Sequence, residues 1–411
     1  MCEALCRARR GACDAAPGPP PPPCDAGLRG APGPRFRTMS RRLLVVSHPA
    51  VVGVNQEVYG ELRRRGWQPT LVLPERWRGE YSKGELRPEP IAGMEGTLRP
   101  TPVALAGRPQ RHFYLARPGR LIERAQPDVA FLEAEPFSLV ASQWRRALVR
   151  RGIPFGVQAA ENIDRPLPAP VRRLRSLVLR DAAFVAARSE SAGRLATQWG
   201  ARGEVRFCPH AVPPWEPAPR PGARPFTVGY AGRLVESKGL RDLLAAMRLL
   251  AAPVELVLIG DGEMRGELEG QEIPGSRVRV LAGLGHDRMA EGFAELDVLA
   301  LPSRTTPTWK EQFGRVIVEA LWCGVPVVGS DSGEIPWLIE LTGGGLVFAE
   351  GDVEALARRL TELREDPALR ERLAERGGQA ARRLFSVPAA TDPLEQMLER
   401  TLRGRGAGGD S

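Results

Sequence analysis

From residue 42 onward, short apolar runs alternate with segments of helical periodicity. Runs at 43–47, 70–74, 127–133, 154–160, 183–187 and 205–209 predict buried strands, and 55–65, 138–152, 171–181 and 189–199 predict helices. A proline-dense stretch, PPWEPAPRPGARP at 213–225, then reads as a linker. The alternation resumes with strands at 226–232, 254–260, 278–281, 297–303, 325–331 and 345–348, and helices at 239–250 and about 314–323. Charged helices at 353–364, 367–384 and 391–403 close the chain. Strands that are apolar throughout belong in parallel sheets covered on both faces. The expected class is therefore α/β, with two Rossmann-like domains at 39–215 and 216–385. A C-terminal helix and tail at 386–411 can cross back to the first domain. In such folds ligands sit outside the carboxyl ends of the strands, here in the cleft between the domains.

Composition narrows the function classes. The chain has 411 residues, 43% hydrophobic and 26% charged, as expected of a globular protein. No apolar run reaches the ~18 residues of a membrane-spanning helix. The net charge of +9 rests on arginine, because Lys83, Lys238 and Lys310 are the only lysines. No zinc-finger spacing, RNP-like aromatic motif or basic heptad helix accompanies it, so nucleic acid is not an expected partner. An anionic small molecule or an anionic membrane surface suits the charge as well. Residues 1–38 read as a disordered, low-complexity leader, a mis-called start or a dispensable tail, with Met39 as the natural beginning. Cys2, Cys6, Cys13 and Cys24 lie there without a zinc pattern, while Cys208 and Cys323 read as buried thiols. A reducing cytoplasm fits, and a peripheral place at the inner face of the membrane stays open.

Two segments carry chemistry. In GYAGRLVESKGLRDLL (229–244), Arg233 and Lys238 sit on the loop after a strand, where such cations hold a phosphate or diphosphate. A solvated strand-to-helix loop is the competing reading. In EQFGRVIVEALWCGVPVVGSDSG (311–333), Glu311 stands at the lip of a helix and Glu319 eight positions on. The free N–H groups of Phe313, Gly314 and Arg315 suit a phosphate. Eight helical residues span about 12 Å, close to the distance from a sugar to a ribose across a diphosphate. Glu311 then holds sugar hydroxyls and Glu319 ribose hydroxyls. The alternative is a helix with one capping acid and one ion-paired acid.

These pieces, with LVLIGDGEMRGEL, VLAGLGHDRMAEGFAELDVLALPS and GGGLVFAEGDVEALA, occur in order over nearly all of 226–360. The chain resembles the retaining glycosyltransferases of family 4, which have the GT-B fold. The N-terminal half resembles them more loosely through 161–212. The resemblance implies a nucleoside-diphosphate-sugar donor, an acceptor hydroxyl, retention of anomeric configuration, and polysaccharide, glycoconjugate or glycolipid assembly. Carried over, Arg233 and Lys238 look like the diphosphate clamp, Glu311 the sugar-side acid and Glu319 the ribose ligand. Phe313 and Gly314 resemble the backbone positions beside sugar and phosphate. Gly232 closes the strand ahead of the clamp, and Leu284 lies in the segment that lines the base.

The N-terminal half departs from the family pattern. The first loop is HPAVVGVNQEV, with a single Gly53 followed by Asn55, where many relatives carry Gly-Gly. Gly53 can still bring backbone close to the donor phosphate. Where many relatives carry a histidine, the chain reads FLEAEPFS, so Glu133 or Glu135 takes that position, or both are solvated loop acids. Glu161 and Asn162 also face the expected cleft. His48 reaches it from the first strand, unless it is bonded to loop backbone. His48, Asn55, Glu133, Glu135 and Glu161 form the candidate acceptor side, and Gly53 belongs with the donor-binding candidates. With no D-x-D motif and four scattered histidines, neither a metal site nor a cofactor is expected. Arg233 and Lys238 then neutralise the diphosphate. The basic helix at 171–181 offers Arg172, Arg173, Arg175 and Arg180 to an anionic membrane, or packs its apolar stripe on the domain. A sugar-nucleotide epimerase and a non-catalytic GT-B subunit share the architecture and remain alternatives.

Overall fold

A computed structural model describes residues 41–78, 84–219, 222, 224–251 and 253–407. The leader at 1–38 with its four cysteines, and the tail at 408–411, lie outside the described residues.

The N-terminal half forms a seven-stranded parallel sheet in the order β11-β10-β9-β8-β1-β2-β5. In chain order its elements are β1 (Arg42–Ser47), α1 (Glu57–Arg64), β2 (Gln68–Pro74), the short ladder β3 (Trp77–Arg78) with β4 (Glu85–Leu86), and β5 (Leu98–Thr101). A second ladder, β6 (Val103–Ala104) with β7 (Phe113–Tyr114), follows. Then come α2 (Pro118–Ala125), β8 (Val129–Glu133), α3 (Leu139–Val149), β9 (Phe155–Ala159), α4 (Ala169–Asp181), β10 (Phe184–Ala187), α5 (Glu190–Gln198) and β11 (Glu204–Phe207). Leu43, Leu44, Val45 and Val46 are all buried, so β1 faces apolar layers on both sides, as its unbroken run predicts.

The C-terminal half repeats the design. Its strands are β12 (Phe226–Ala231), β13 (Val254–Ile259), β14 (Ser276–Leu281), β15 (Val298–Leu301), β16 (Val327–Ser330) and β17 (Gly345–Phe348). They form a six-stranded parallel sheet in the order β14-β13-β12-β15-β16-β17. Its helices are α6 (Leu240–Leu249), α7 (Arg265–Glu269), α8 (Met289–Ala294), α9 (Arg315–Trp322), α10 (Ile335–Thr342), α11 (Val353–Glu365) and α12 (Pro367–Phe385). Two facing Rossmann-like domains of this kind are the GT-B fold.

The last helix, α13 (Val387–Ala407), packs on the N-terminal domain. Leu394, Met397, Leu398 and Leu402 join the apolar layer of Leu43, Val45 and Phe131. Arg65 pairs with Asp392 and Glu395 at 2.7 Å each.

Several expectations need correction. No strand was expected in the long connection between 74 and 127, yet β5 lies there. It is an edge strand, where proline and exposed polar residues are tolerated. Helix 55–65 starts only at Glu57, after two 3-10 turns at Pro49–Val51 and Gly53–Gln56. Arg175 leaves the basic patch. It is buried, with its guanidinium 4.0 Å over the Trp199 ring and 3.7 Å from Asp164. Arg180 is exposed but paired with Asp181 at 2.8 Å, which leaves Arg172 and Arg173 as the exposed cations of that helix without an ion-pair partner among the described residues. Among the described residues, no helix is long and apolar enough to cross a membrane.

Candidate active site

In the C-terminal sheet β12, β15 and β16 are neighbours, so the loops after them converge at one edge of the cleft. The loop after β12 passes through exposed Gly232 and half-buried Arg233, whose carbonyl accepts the Tyr230 hydroxyl at 2.7 Å. It ends in a 3-10 turn, Glu236–Lys238. Lys238 Nζ lies 2.6 Å from Glu311 Oε2 and 4.4 Å from the centre of the Trp309 ring. Ser303, just past β15, donates to the same Glu311 oxygen at 3.1 Å. The Glu311 carbonyl accepts the Glu334 N–H at 3.1 Å and, from the opposite domain, Asn162 Nδ2 at 2.8 Å. Glu311 is thus fixed by both its carboxylate and its backbone.

Helix α9 starts two residues after a buried Phe313, whose ring packs on His210 and Phe385 at 5.3 and 6.0 Å. The Phe313 side chain therefore serves the core. Gly314 caps the helix in the left-handed region at φ 75°, and a Cβ there would lie 3.0 Å from Ile317 Cδ1. Arg315 reaches across the cleft. Its Nη1 lies 3.4 Å from Asn55 Oδ1, its Nη2 3.3 Å from His286 Nε2, and its Nε 2.8 Å from Glu319 Oε1. The last contact is ionic rather than a well-aligned hydrogen bond. Burial pushes the Glu319 carboxyl up to about 7 against the pull of Arg315. Burial and the same guanidinium push His286 down to about 4. Trp215 packs on the His286 ring at 4.9 Å. Leu284, two residues before His286, is half-buried.

The acceptor-side candidates separate. Asn55, through Arg315, belongs to this constellation. Gly53, the donor-binding candidate of this domain, sits half-buried in its turn, where a Cβ would lie 3.1 Å from Ile91 Cγ2. Glu133 and Glu135 are buried, which corrects the solvated-loop reading. Glu133 accepts from Ser47 and Tyr59 at 2.6 Å each and pairs with buried Arg188 at 2.8 Å. Glu135 accepts the Ala160 N–H at 2.8 Å, its other oxygen has no partner, and burial raises it to about 8. Glu161 accepts the N–H groups of Asn162 and Ile163 and pairs with Arg165 at 3.0 Å. His48 is not bonded to loop backbone through Nδ1, which is buried without a partner. Its ring packs on Trp77 and His112 at 5.0 and 5.2 Å, and burial pushes it down to about 3.

Trp309, Ser303 and the His286–Arg315 contact are the parts that sequence reasoning missed. A tryptophan two residues before the first acid was the available signal for one of them. Among the described residues no cluster of His, Cys, Asp and Glu has metal-binding geometry.

Residues 215–380 match the family model for glycosyl transferases group 1. The matched residues take in the C-terminal sheet and the helices around it. The lipopolysaccharide core biosynthesis glycosyltransferase LpsE of Rhizobium meliloti is 36% identical over 168 residues, 41% of this chain and 48% of that one. The chain spans about half the length of the curated relatives it matches. Among solved structures, sucrose-phosphate synthase from Thermosynechococcus elongatus aligns with a TM-score of 0.66 at 16% identity, over 88% of this chain and 99% of that one. HepE of Anabaena in complex with UDP-glucose aligns with a TM-score of 0.64 at 20% identity, over 87% and 99%. At those identities the structural likeness speaks for the GT-B fold.

Proposed function

We propose that this protein is a glycosyl transferase that moves a sugar from a nucleoside-diphosphate-sugar to an acceptor hydroxyl with retention of anomeric configuration, in polysaccharide, glycoconjugate or glycolipid assembly. The observation that carries the reading is the Lys238–Glu311 pair, 2.6 Å apart beside the first turn of α9. A cation, an acid and free helix N–H groups stand together where a sugar diphosphate presents hydroxyls and negative charge. The naming of LpsE and the UDP-glucose held by HepE support the same reading.

In this reading Lys238 and Arg233 take the diphosphate, and the N-terminus of α9 adds its partial positive charge. Glu311 turns to the sugar hydroxyls and Glu319 to the ribose. Charge gathers on the leaving diphosphate as the glycosidic bond stretches, and these fixed donors stabilise it. The leaving phosphate oxygen takes the acceptor's proton on the same face, so no enzyme nucleophile is needed. A metal ion is not required, because Arg233 and Lys238 supply the neutralising charge.

The test is transfer measured by product NMR after a screen of nucleoside diphosphates has identified the base. Lys238→Ala and Glu311→Ala are each expected to lower kcat by about 100- to 1000-fold. Lys238→Ala should also weaken diphosphate binding. Full turnover in Glu311→Ala, or inversion at the anomeric carbon, overturns the proposal.

A further inference from the structure

The ladder of β6 and β7 forms a hairpin beside the wall of the N-terminal domain. Inward, Tyr114 is buried against Trp144 at 5.7 Å, and His112 packs on His48 and Trp77. Outward, Phe113 is 36% exposed, Leu115 61% and Leu105 47%. Leu139, 41% exposed at the start of α3, is held beside the hairpin by its N–H to the Gln110 carbonyl at 3.1 Å. These are large apolar groups left in solvent by a domain that buries its other strands well.

The charge around them is one-sided. Between Gly96 and Ile122 the chain has no acidic residue but has Arg99, Arg108, Arg111, Arg117 and Arg120. The last four are exposed and form no ion pair among the described residues. Two arginines nearby are paired, Arg151 with Glu123 at 2.7 Å and Arg76 with Glu85 at 3.7 Å. Glu75 and Glu85, the acids beside the hairpin's Val103 edge, are both within ion-pair reach of Arg76. The hairpin thus offers guanidinium groups without an ion-pair partner among the described residues, set among exposed Leu and Phe side chains. Anionic headgroups satisfy the first and the acyl boundary the second.

We propose that this hairpin docks the protein on an anionic lipid bilayer. Its inner side chains reach His48 at the end of β1, so the docked face adjoins the side of the cleft assigned to the acceptor. For the acceptor, this rests on the transfer reading and specifies it as a lipid-borne hydroxyl. The docking itself does not depend on that reading.

Co-sedimentation of the full chain with vesicles tests it, using phosphatidylcholine alone and phosphatidylcholine mixed with phosphatidylglycerol. Binding is expected with the mixed vesicles, weakening as salt is raised. Arg108→Gln/Arg111→Gln should lower partitioning about 30-fold. Phe113→Ser/Leu115→Ser should lower it about tenfold or more. Both pairs lie on the surface, so the thermal midpoint and nucleoside-diphosphate binding should stay at wild-type values. Arg172→Gln/Arg173→Gln, on α4, should sediment as wild type. Indifference of the wild type to phosphatidylglycerol, or hairpin variants that sediment normally, overturns the docking. Vesicle binding that survives while no nucleotide binds overturns the transfer reading and leaves the docking intact.

Discussion

Glu311 and Glu319 are eight residues apart, with Glu311 ahead of α9 and Glu319 inside it, so the chain between them is not the continuous helix that the spacing suggested, and they occupy different electrostatic surroundings. Glu311 has a lysine and a serine hydroxyl on one oxygen. Glu319 is buried, and its guanidinium neighbour only partly offsets the lost hydration. The consequence is a pH dependence with a definite sign. Its folded value of about 7 lies above the ordinary 4.5, so between those values the native state holds a proton that the unfolded chain has released. Stability then falls as pH rises from 4.5 and levels off above about 7. Glu319→Gln has no proton to lose there, and its thermal midpoint should show a shallower slope across that window. Parallel slopes for the two proteins would contradict a raised carboxyl. Glu135 contributes in the same direction up to about 8.

The elements act through their ends. Because β12, β15 and β16 lie side by side, three loops meet at Glu311 without any long-range folding device beyond sheet order. Gly333, after β16, lies against the backbone of Glu311 at φ 60°, and a Cβ there would fall on the Glu311 carbonyl. That carbonyl is the one held by Asn162 and Glu334. Gly333→Ala is expected to cost about 1–2 kcal/mol from the left-handed backbone alone. It should also push Glu311 off Lys238 and cut kcat at least tenfold, a loss measurable at temperatures where the variant is fully folded. A Gly333→Ala protein with wild-type kcat would mean that the Glu311 backbone is not a positioning element.

For the whole molecule, α13 decides whether the N-terminal domain is complete. Its Leu398 is fully buried in that domain although it lies beyond the end of the second. Trp67 Nε1 donates to Glu395 at 3.0 Å, which fastens the helix to the chain entering β2. Leu398→Ala should destabilise the protein by about 2–5 kcal/mol in denaturant unfolding, with the cavity opening in the first domain. A cost under about 1 kcal/mol would show that the helix docks loosely. The same scale holds the cross-cleft contacts, Asn162 to the Glu311 carbonyl and Arg315 to Asn55, which set how the two domains face each other.

Much of this was legible from local pattern. Unbroken apolar runs located β1, β8, β12, β15 and β16, because a strand covered on both faces has no polar alternation to keep. Loop composition after β12 and the spacing of Glu311 from Glu319 marked the candidate site, because strand ends and a helix lip place those groups by local geometry. What tertiary structure alone decided is the identity of partners far apart in sequence. Glu133 meets Arg188 across 55 residues, and Asn162 meets Glu311 across 149. Arg175 turns inward onto Trp199, β5 gains an edge position, and His286 joins Glu319. Periodicity reports whether a position is covered, through the free energy of removing apolar surface from water. It carries no information on which distant group does the covering, since that is set by how sheets order and domains close.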